Sequence, residues 1–258
     1  MATLGVIGCG NMGGAIVRRV LKTRAFERVV VYDPTQEKTP DEAEKVSAAV
    51  DAVRAGDVVL LAVKPQVMPR VLAKIAEESA GKLFVSVAAG TTAAAIEARL
   101  PGARVVRTMP NTPLLAGKGA VGIAGGETAT ADDVETAKRL FGDSVIVEVA
   151  EGQIDAVTAV SGSGPAYFFA FVEALAAAGE KAGLSPDDAA TLARQTCIGA
   201  AALLENSDDS PATLRENVTS PGGTTAAALA SFASDDLASM VARAVDAAKQ
   251  RGRELSES

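Results

Sequence analysis

Near the N-terminus, residues 6–17 read VIGCGNMGGAIV and contain glycines with the spacing G-x-G-x-x-G. In a βαβ unit such glycines allow a tight turn, the close approach of a pyrophosphate group and close packing of the helix against the strand. The motif directly follows an apolar run and opens a helical pattern, which is the context that this chemistry requires. The sequence therefore predicts a dinucleotide-binding loop formed by Gly8, Gly10, Asn11, Met12 and Gly13.

An acidic residue, Asp33, ends the next apolar run, 20 residues after Gly13. At that distance a carboxylate can accept hydrogen bonds from the hydroxyls of the adenosine ribose. Because a carboxylate repels a 2′-phosphate, Asp33 favours NAD(H). The residues that follow it and could bind that phosphate are Thr35, Gln36 and Lys38. We therefore expect NADP(H) or NAD(H) as the cofactor, and a plain turn role for Asp33 is the alternative.

Three loops follow later apolar runs: AVKPQ at residues 62–66, SVAAGTT at 86–92 and MPNTP at 109–113. In an open α/β sheet the ligand crevice lies outside the carboxyl ends of the parallel strands, so all three loops are expected there. Together with the glycine motif they predict a nicotinamide pocket, although each loop taken alone is typical of a rigid turn. The polar side chains that they offer are Lys64, Asn111 and Thr112.

Residues 220–225, SPGGTT, stand directly before an alanine-rich helical run. A helix start has unpaired backbone N–H groups and the positive end of the helix dipole, and glycine lets an anion approach them closely. The stretch therefore predicts a site for a carboxylate or a phosphate. The alternative needs no ligand and makes Ser220 the N-cap, Pro221 the first helical residue and the glycines a flexible turn.

The composition of the 258 residues excludes several other kinds of chemistry. The chain has no histidine, which excludes serine–histidine–aspartate catalysis and histidine metal sites, and two cysteines are too few for a four-thiolate zinc site. We therefore expect no metal. The formal charge of −7 and the lack of a basic cluster argue against nucleic acid and against a membrane surface. Two cysteines far apart and no charged-then-apolar leader favour the cytoplasm.

The elements that must position these residues follow two patterns. In residues 1–150, seven valine- and isoleucine-rich runs alternate with helical patterns, which predicts a mainly parallel sheet of right-handed βαβ units. The strands after residue 109 are expected to be antiparallel or irregular. Patterns like a capping box at Thr39 and Thr130 predict helix starts, and so does Ser185 before Pro186 in the alanine-rich remainder.

We therefore predict an α/β fold with a Rossmann-type dinucleotide-binding domain at residues 1–150 and an all-α dimerisation and substrate-binding domain at 151–258. Two predicted helices, at 165–183 and 186–204, are apolar around most of their circumference. A block of roughly 100 residues buries few such faces on its own, so we expect them to form the interface of a homodimer. A compact monomeric bundle is the alternative.

Taken in order, GCGNMG, AVKP, SVAAG, MPNTP, SGSGPAY and SPGGTT closely resemble the motifs of the pyrroline-5-carboxylate reductase family, over residues 3–255. The pair SGSGPAY and SPGGTT is specific, whereas the glycine motif occurs in many families. The resemblance implies NAD(P)H-dependent reduction of the cyclic imine 1-pyrroline-5-carboxylate to L-proline, the last step of proline biosynthesis. It also implies helical domains that interleave as dimers, often within larger rings, and a substrate cleft at the dimer interface.

The resemblance assigns site residues by their motifs. Those that would hold the substrate carboxylate are Ser220, Gly222, Gly223 and Thr224, and Thr225 is the catalytic candidate beside the imine nitrogen. The further cofactor-binding candidates are Ala62, Val63, Lys64 and Pro65 along the cofactor, and Ala88, Ala89 and Asn111 at its nicotinamide end. The chain departs from the family at YDP, residues 32–34, where many members carry an uncharged pair, so the usual NADPH preference need not hold.

Two other functions fit a dinucleotide domain followed by helices. A hydroxyacid dehydrogenase would use a lysine on the helix after SGSG, but the one lysine there, Lys181, falls at its polar far end. A non-catalytic dinucleotide sensor would have no need of a complete SPGGTT. The lack of histidine suits the reductase, because reduction of an already protonated imine needs orientation more than a strong acid.

Overall fold

The structure is a computed structural model that describes residues 2–257. Eight strands form one sheet within these residues. The strands are β1 (Thr3–Ile7), β2 (Arg28–Tyr32), β3 (Glu44–Lys45), β4 (Val58–Leu61), β5 (Leu83–Ser86), β6 (Arg104–Pro110), β7 (Ala120–Gly125) and β8 (Val145–Glu148). Their order across the sheet is β3-β2-β1-β4-β5-β6-β7-β8.

Up to β8 an α-helix of the described chain separates successive strands, except between β2 and β3 and between β6 and β7; after β8 the helices follow one another. They are α1 (Asn11–Thr23), α2 (Ala49–Ala55), α3 (Met68–Ile75), α4 (Ala93–Glu97), α5 (Ala131–Lys138), α6 (Ile154–Val157), α7 (Gly164–Lys181), α8 (Pro186–Glu205), α9 (Pro211–Asn217), α10 (Thr224–Ser234) and α11 (Leu237–Glu257). This is the predicted α/β architecture with helices after it, and the fold class is confirmed.

All neighbouring strands pair in parallel except β6 and β7, which pair antiparallel. The expectation of an antiparallel element after residue 109 is therefore confirmed. β1 lies between β2 and β4, so the strand order changes direction there. In an open parallel sheet this switch point is where a ligand crevice opens.

Helices cover both faces of the sheet at its central strands, which explains why those strands read as continuous apolar runs. On β4, Val58 and Leu60 face a core that includes α1 and α5, whereas Val59 and Leu61 face a core that includes α2, α3 and α4. Successive side chains point to opposite faces, and here both faces are buried. The four residues are at most 3% exposed.

The helix starts predicted from sequence had different outcomes. At α5, the Thr130 hydroxyl accepts from the backbone N–H of Asp133, and the Asp133 carboxylate accepts from the Thr130 N–H in a complete capping box. At α8, the Ser185 hydroxyl caps the helix as predicted. The helix predicted at Thr39 is wrong. The chain instead makes turns up to β3, which adds to the edge of β2, and the next helix begins only at Ala49.

The chain divides into two compact units. One contains the described residues up to Ser163 together with those from Ala247 onward, and the other is Gly164–Asp246. The proposed domain boundary after residue 150 remains a prediction. The second unit has almost no core of its own, because its buried residues are limited, within the described chain, to Gly164, Ala189 and Ala193.

Apolar side chains of that helical unit lie on its surface instead. The most exposed large ones on α7 and α8 are Phe168, Phe169, Phe171, Leu192, Ile198 and Leu203, each at least half exposed. A unit that exposes so many aromatic and aliphatic side chains matches the predicted need for a partner surface.

Candidate functional site

A cleft of about 830 Å³ opens beside the carboxyl ends of β1 and β4, at the switch point of the sheet. The predicted cofactor residues that line it are Gly8, Gly10, Asp33, Ala62, Val63 and Lys64. Residues from three separate loops are therefore brought to one cleft within the first unit. Their roles toward a cofactor remain predictions.

The glycine loop has the backbone geometry that the motif predicts. Gly8 has φ of +97°, and a Cβ built there would lie 2.5 Å from the carbonyl oxygen of Ala62. A Cβ at Gly13 would lie 2.2 Å from the carbonyl oxygen of Gly8. Glycine at these positions is thus required by the close approach of loop, helix and strand.

Gly10 differs from the other two glycines of the loop. It is the N-cap of α1, no side chain caps that helix, and a Cβ added to it would meet nothing within 4 Å. The first backbone N–H groups of α1 therefore lack a side-chain cap and lie next to a glycine with open space, where an anionic group can approach them. This geometry suits the pyrophosphate of a dinucleotide. The neighbouring side chain of Met12 packs against the core, and the exposed Asn11 accepts a hydrogen bond from Lys38.

Asp33 joins the glycine loop to the turn after β2. One carboxylate oxygen accepts from the N–H of Cys9 at 2.7 Å, and the other accepts from the N–H and hydroxyl of Thr35 and from the N–H of Gln36. Burial disfavours the charged carboxylate, but these four hydrogen bonds outweigh it and lower the pKa of Asp33 below its usual 3.8. Asp33 is therefore ionised at neutral pH and holds the edge of the cleft in place.

Two cationic residues that line the cleft were not predicted from the sequence. Arg70 and Lys74 lie one turn apart on α3 and line the cleft with Lys64. Their i, i+4 spacing directly after the AVKP loop is a signal that could have revealed them. Three cations beside one carboxylate give the cleft a net positive lining that favours a polyanionic ligand.

The side chains of the candidates for the nicotinamide end are buried, packed or hydrogen-bonded within the protein. Ala88 is buried, and Ala89 packs against a small apolar cluster of Met109, Ala124 and Ile154. The Asn111 amide donates to the carbonyl oxygen of Ser161 at 3.1 Å and accepts from the N–H of Ala120 at 2.9 Å. Contact between these residues and a nicotinamide stays a prediction. Pro65 begins a short 3₁₀ turn, Pro65–Val67, that follows the exposed Lys64.

The start of α10, in the second unit, is built differently from the helix cap that was the alternative to an anion site. Ser220 and Pro221 lie in a turn before the helix, which is closed by a hydrogen bond from the Gly223 N–H to the Ser220 carbonyl oxygen. Gly222 has φ of +69° in this turn, and Gly223 is the N-cap. The reading of Ser220 as N-cap and Pro221 as first helical residue is therefore wrong, because the chain reverses before the helix begins.

Free hydroxyls surround this helix start. No hydrogen bond from Ser220, Thr224 or Thr225 side chains to another of residues 2–257 is present, and no side chain caps α10. Elsewhere the chain caps its helices with hydroxyls, at α4, α5, α8 and α9. The start of α10 thus keeps both backbone donors and hydroxyls available for a small anion.

Residues 2–257 contain no group of three or more Cys, Asp and Glu side chains arranged to hold a metal ion. None of the helices in that range is long and apolar enough to cross a bilayer.

Comparison with known proteins identifies relatives over the whole length. Residues 151–255 match the family model for pyrroline-5-carboxylate reductase dimerisation, and residues 3–90 match that for NADP oxidoreductase, coenzyme F420-dependent. The chain is 42% identical to the pyrroline-5-carboxylate reductase of Pseudomonas aeruginosa, over 97% of this chain and 96% of that protein.

Solved structures agree with this comparison. The structure of a pyrroline-5-carboxylate reductase from Coxiella burnetii has a TM-score of 0.92 at 33% identity, covering 100% of this chain and 99% of that one. The Plasmodium falciparum pyrroline carboxylate reductase, solved with NADP bound, has a TM-score of 0.86 at 30% identity, covering 99% and 98%. The chain belongs to the pyrroline-5-carboxylate reductase family of nicotinamide-dependent oxidoreductases.

Proposed function

We propose that this chain reduces 1-pyrroline-5-carboxylate to L-proline with a reduced nicotinamide cofactor, as the last step of proline biosynthesis. The observation that carries the proposal is the start of α10, where an N-cap glycine, uncapped N–H groups and three free hydroxyls suit a small carboxylate. Identity above 40% with a reductase over nearly the full chain supports the same reaction.

The cofactor is proposed to bind in the cleft beside β1 and β4. Gly8 and Gly13 let the loop pack closely against the strand and the helix, Gly10 leaves open space for the pyrophosphate at the start of α1, and Lys64 lies on the cleft wall. The residues proposed to place the nicotinamide end are Ala88, Ala89 and Asn111. When bound, the reduced nicotinamide supplies the hydride for the imine carbon.

Cofactor choice is proposed to be mixed. The ionised Asp33 favours NAD(H), whereas Lys38, Arg70 and Lys74 add positive charge that a 2′-phosphate can use. We propose that NADH is usable and that NADPH competes with it. Thr35 contributes through its hydrogen bonds to Asp33.

The substrate carboxylate is proposed to bind at the start of α10. Backbone N–H groups beyond Gly223 donate to the carboxylate, the helix dipole adds favourable charge, and the hydroxyls of Ser220 and Thr224 donate further hydrogen bonds. Gly222 and Gly223 keep side chains away from the anion. Thr225 Oγ1 hydrogen-bonds the substrate nitrogen and orients the imine, since a threonine hydroxyl is a poor acid.

We further propose that the working form is a homodimer joined through the apolar faces of α7 and α8, within a larger homo-oligomer. The dimerisation model that matches residues 151–255 supports this. The free thiols of Cys9 and Cys197 support a cytoplasmic location, and we propose a reaction that needs no metal.

The test is a spectrophotometric assay of NADPH or NADH oxidation at neutral pH with pyrroline-5-carboxylate, alongside a set of 2-keto and 3-keto acids. The proposal predicts cofactor oxidation with the imine and L-proline as product. Oxidation with a keto acid and none with the imine would instead identify a hydroxyacid dehydrogenase.

A further inference from the structure

The loop after β5, residues 87–92, is held on its inner side by the sheet. The N–H of Val87 donates to the carbonyl oxygen of Leu61 at 3.1 Å, and Ala89 packs against Met109 and Ile154. The outer half of the loop, residues 90–92, makes no backbone hydrogen bond to a strand of the described chain. Other groups must therefore fix that half.

One of those groups is Glu151, on the turn that precedes α6. Its carboxylate accepts a hydrogen bond from the backbone N–H of Ala93, the first residue of α4. The same carboxylate oxygen lies 3.6 Å from the Arg107 guanidinium, and Asp155 lies 3.6 Å from another nitrogen of that guanidinium. Glu151 thus ties the end of the loop to the sheet through Arg107.

Burial of the Arg107 guanidinium costs free energy, because the charge is removed from water. Its side chain is 3% exposed, and two of its nitrogens have no hydrogen-bond partner within the described chain. Burial lowers the pKa of Arg107, and the charges of Asp155 and Glu151 oppose that change. A buried guanidinium is stable only while carboxylates stay beside it. Moving Glu151 away from Arg107 would therefore cost free energy, and this cost holds Glu151 in place.

The second group is the C-terminal end of α11, which lies in the same compact unit. Gly90 has φ of +70°, and a Cβ there would lie 2.8 Å from Cβ of Leu255. One turn earlier, a Cβ on Gly252 would lie 3.3 Å from a carboxylate oxygen of Asp155. The last turns of α11 therefore cover both the loop and the buried ion cluster.

We propose that Glu151, held by Arg107, and Leu255 are positioning residues that brace the loop 87–92 for the nicotinamide end of the cofactor. This rests on the proposed function, which places Ala88 and Ala89 beside that end. None of the three bracing residues needs to touch the cofactor. They act through the loop, and a loop displaced by even 1 Å would misplace the reacting groups.

The test compares Glu151→Ala with Glu151→Gln and with Glu254→Ala. Glutamine keeps an oxygen that can accept from the Ala93 N–H, whereas alanine removes it. Glu254 is the matched control, because its carboxylate also pairs with an arginine, Arg251 at 2.8 Å, but on the exposed side of α11. Leu255→Ala tests the second contact independently, should Glu151→Ala fail to fold.

Three readouts are measured. Hydrogen–deuterium exchange of residues 88–93 in the cofactor-free protein should quicken about tenfold or more in Glu151→Ala and Leu255→Ala. The value of kcat should fall about 5- to 50-fold, while the Kd for ADP-ribose, which lacks the nicotinamide, should stay within about twofold. Glu151→Gln should keep most of the activity, and Glu254→Ala should match the wild type in all three readouts.

Faster exchange with unchanged kcat in both alanine variants would overturn the proposal, and so would unchanged exchange. A loss of ADP-ribose affinity as large as the loss in kcat would also overturn the proposal, since such a loss would indicate general damage to the unit. A wild-type protein that does not reduce pyrroline-5-carboxylate would count against the proposed function alone, because exchange and ADP-ribose binding do not depend on that substrate.

Discussion

Replacing Asp33 by serine is the most direct test of how the cleft chooses its cofactor. The residue lines the cleft, is ionised at neutral pH, and stands at the end of β2 where the adenosine ribose is expected. A 2′-phosphate on that ribose would bring about two negative charges close to the carboxylate. Removing the carboxylate should therefore improve the use of NADPH relative to NADH.

The size of the effect follows from Coulomb's law. Two charges on the phosphate and one on Asp33, at a separation on the order of 6 Å and an effective dielectric of roughly 20 to 40, repel by about 3–6 kcal/mol. Screening by salt ions at physiological ionic strength reduces this to about 1–3 kcal/mol. The ratio of kcat/KM for NADPH to that for NADH should then rise about 5- to 150-fold.

The substitution also removes four accepted hydrogen bonds from the turn after β2. We expect the free energy of unfolding to fall by about 2 kcal/mol, so a melting curve must accompany the kinetics. Asp41→Ser is the matched control, because Asp41 lies in the same segment with its side chain 98% exposed. It should leave the cofactor ratio unchanged.

Steady-state rates with both reduced cofactors decide the matter. A ratio for Asp33→Ser within twofold of the wild type would refute the reasoning, since the carboxylate would then not face the ribose. A wild-type enzyme that already prefers NADPH a thousandfold would refute it as well.

Three further predictions concern other parts of the chain. Thr225→Ala should stay folded and lose about 5- to 100-fold in kcat/KM, because one hydrogen bond to the substrate is removed. Gly223→Val should lose more, because its side chain blocks the backbone donors. A folded but inactive Thr225→Ala would instead make the hydroxyl an essential acid. Sedimentation at micromolar concentration should show a dimer or a larger assembly. An active monomer would contradict the proposal that the exposed apolar faces of α7 and α8 form a subunit interface. Hydrogen bonds from Thr130 and Arg104 outweigh burial and lower the pKa of Asp133 below 3.8, so its stabilisation is present above that pH and lost as pH falls through the lowered value. Denaturant unfolding should therefore find Asp133→Asn about 1–2 kcal/mol less stable than the wild type at pH 7, and this difference should shrink as the pH is lowered below 3.8; a difference that does not change with pH would contradict this.

Much of the fold could be predicted from sequence because local pattern and burial agree there. All seven apolar runs became strands, and those up to β7 are covered on both faces of the sheet, whereas β8 at the edge is largely exposed. Thr130 and Ser185 cap helices that the apolar pattern already required. β3 could not be predicted. It is two charged residues, Glu44 and Lys45, and it exists because its backbone pairs with the edge of β2.

The site was predictable where backbone conformation dictates residue type. Gly8 and Gly13 follow from contacts that leave no room for a Cβ. The helix wrongly predicted at Thr39 had a good local cap pattern, but pairing of β3 with β2 prevailed over it. The buried state of Arg107 could not be predicted, since its partners Glu151 and Asp155 lie more than 40 residues away in sequence.

The nearly coreless helical unit has a consequence for how the protein folds. With its buried residues limited to Gly164, Ala189 and Ala193 within the described chain, Gly164–Asp246 gains little free energy from collapsing alone. If another subunit covers the apolar faces of this unit, as proposed, its helices gain most of their stability only on association, and folding of the unit is coupled to assembly. By mass action, the midpoint of thermal unfolding should then rise with protein concentration, and newly made chains should remain open to chaperones until they meet a partner.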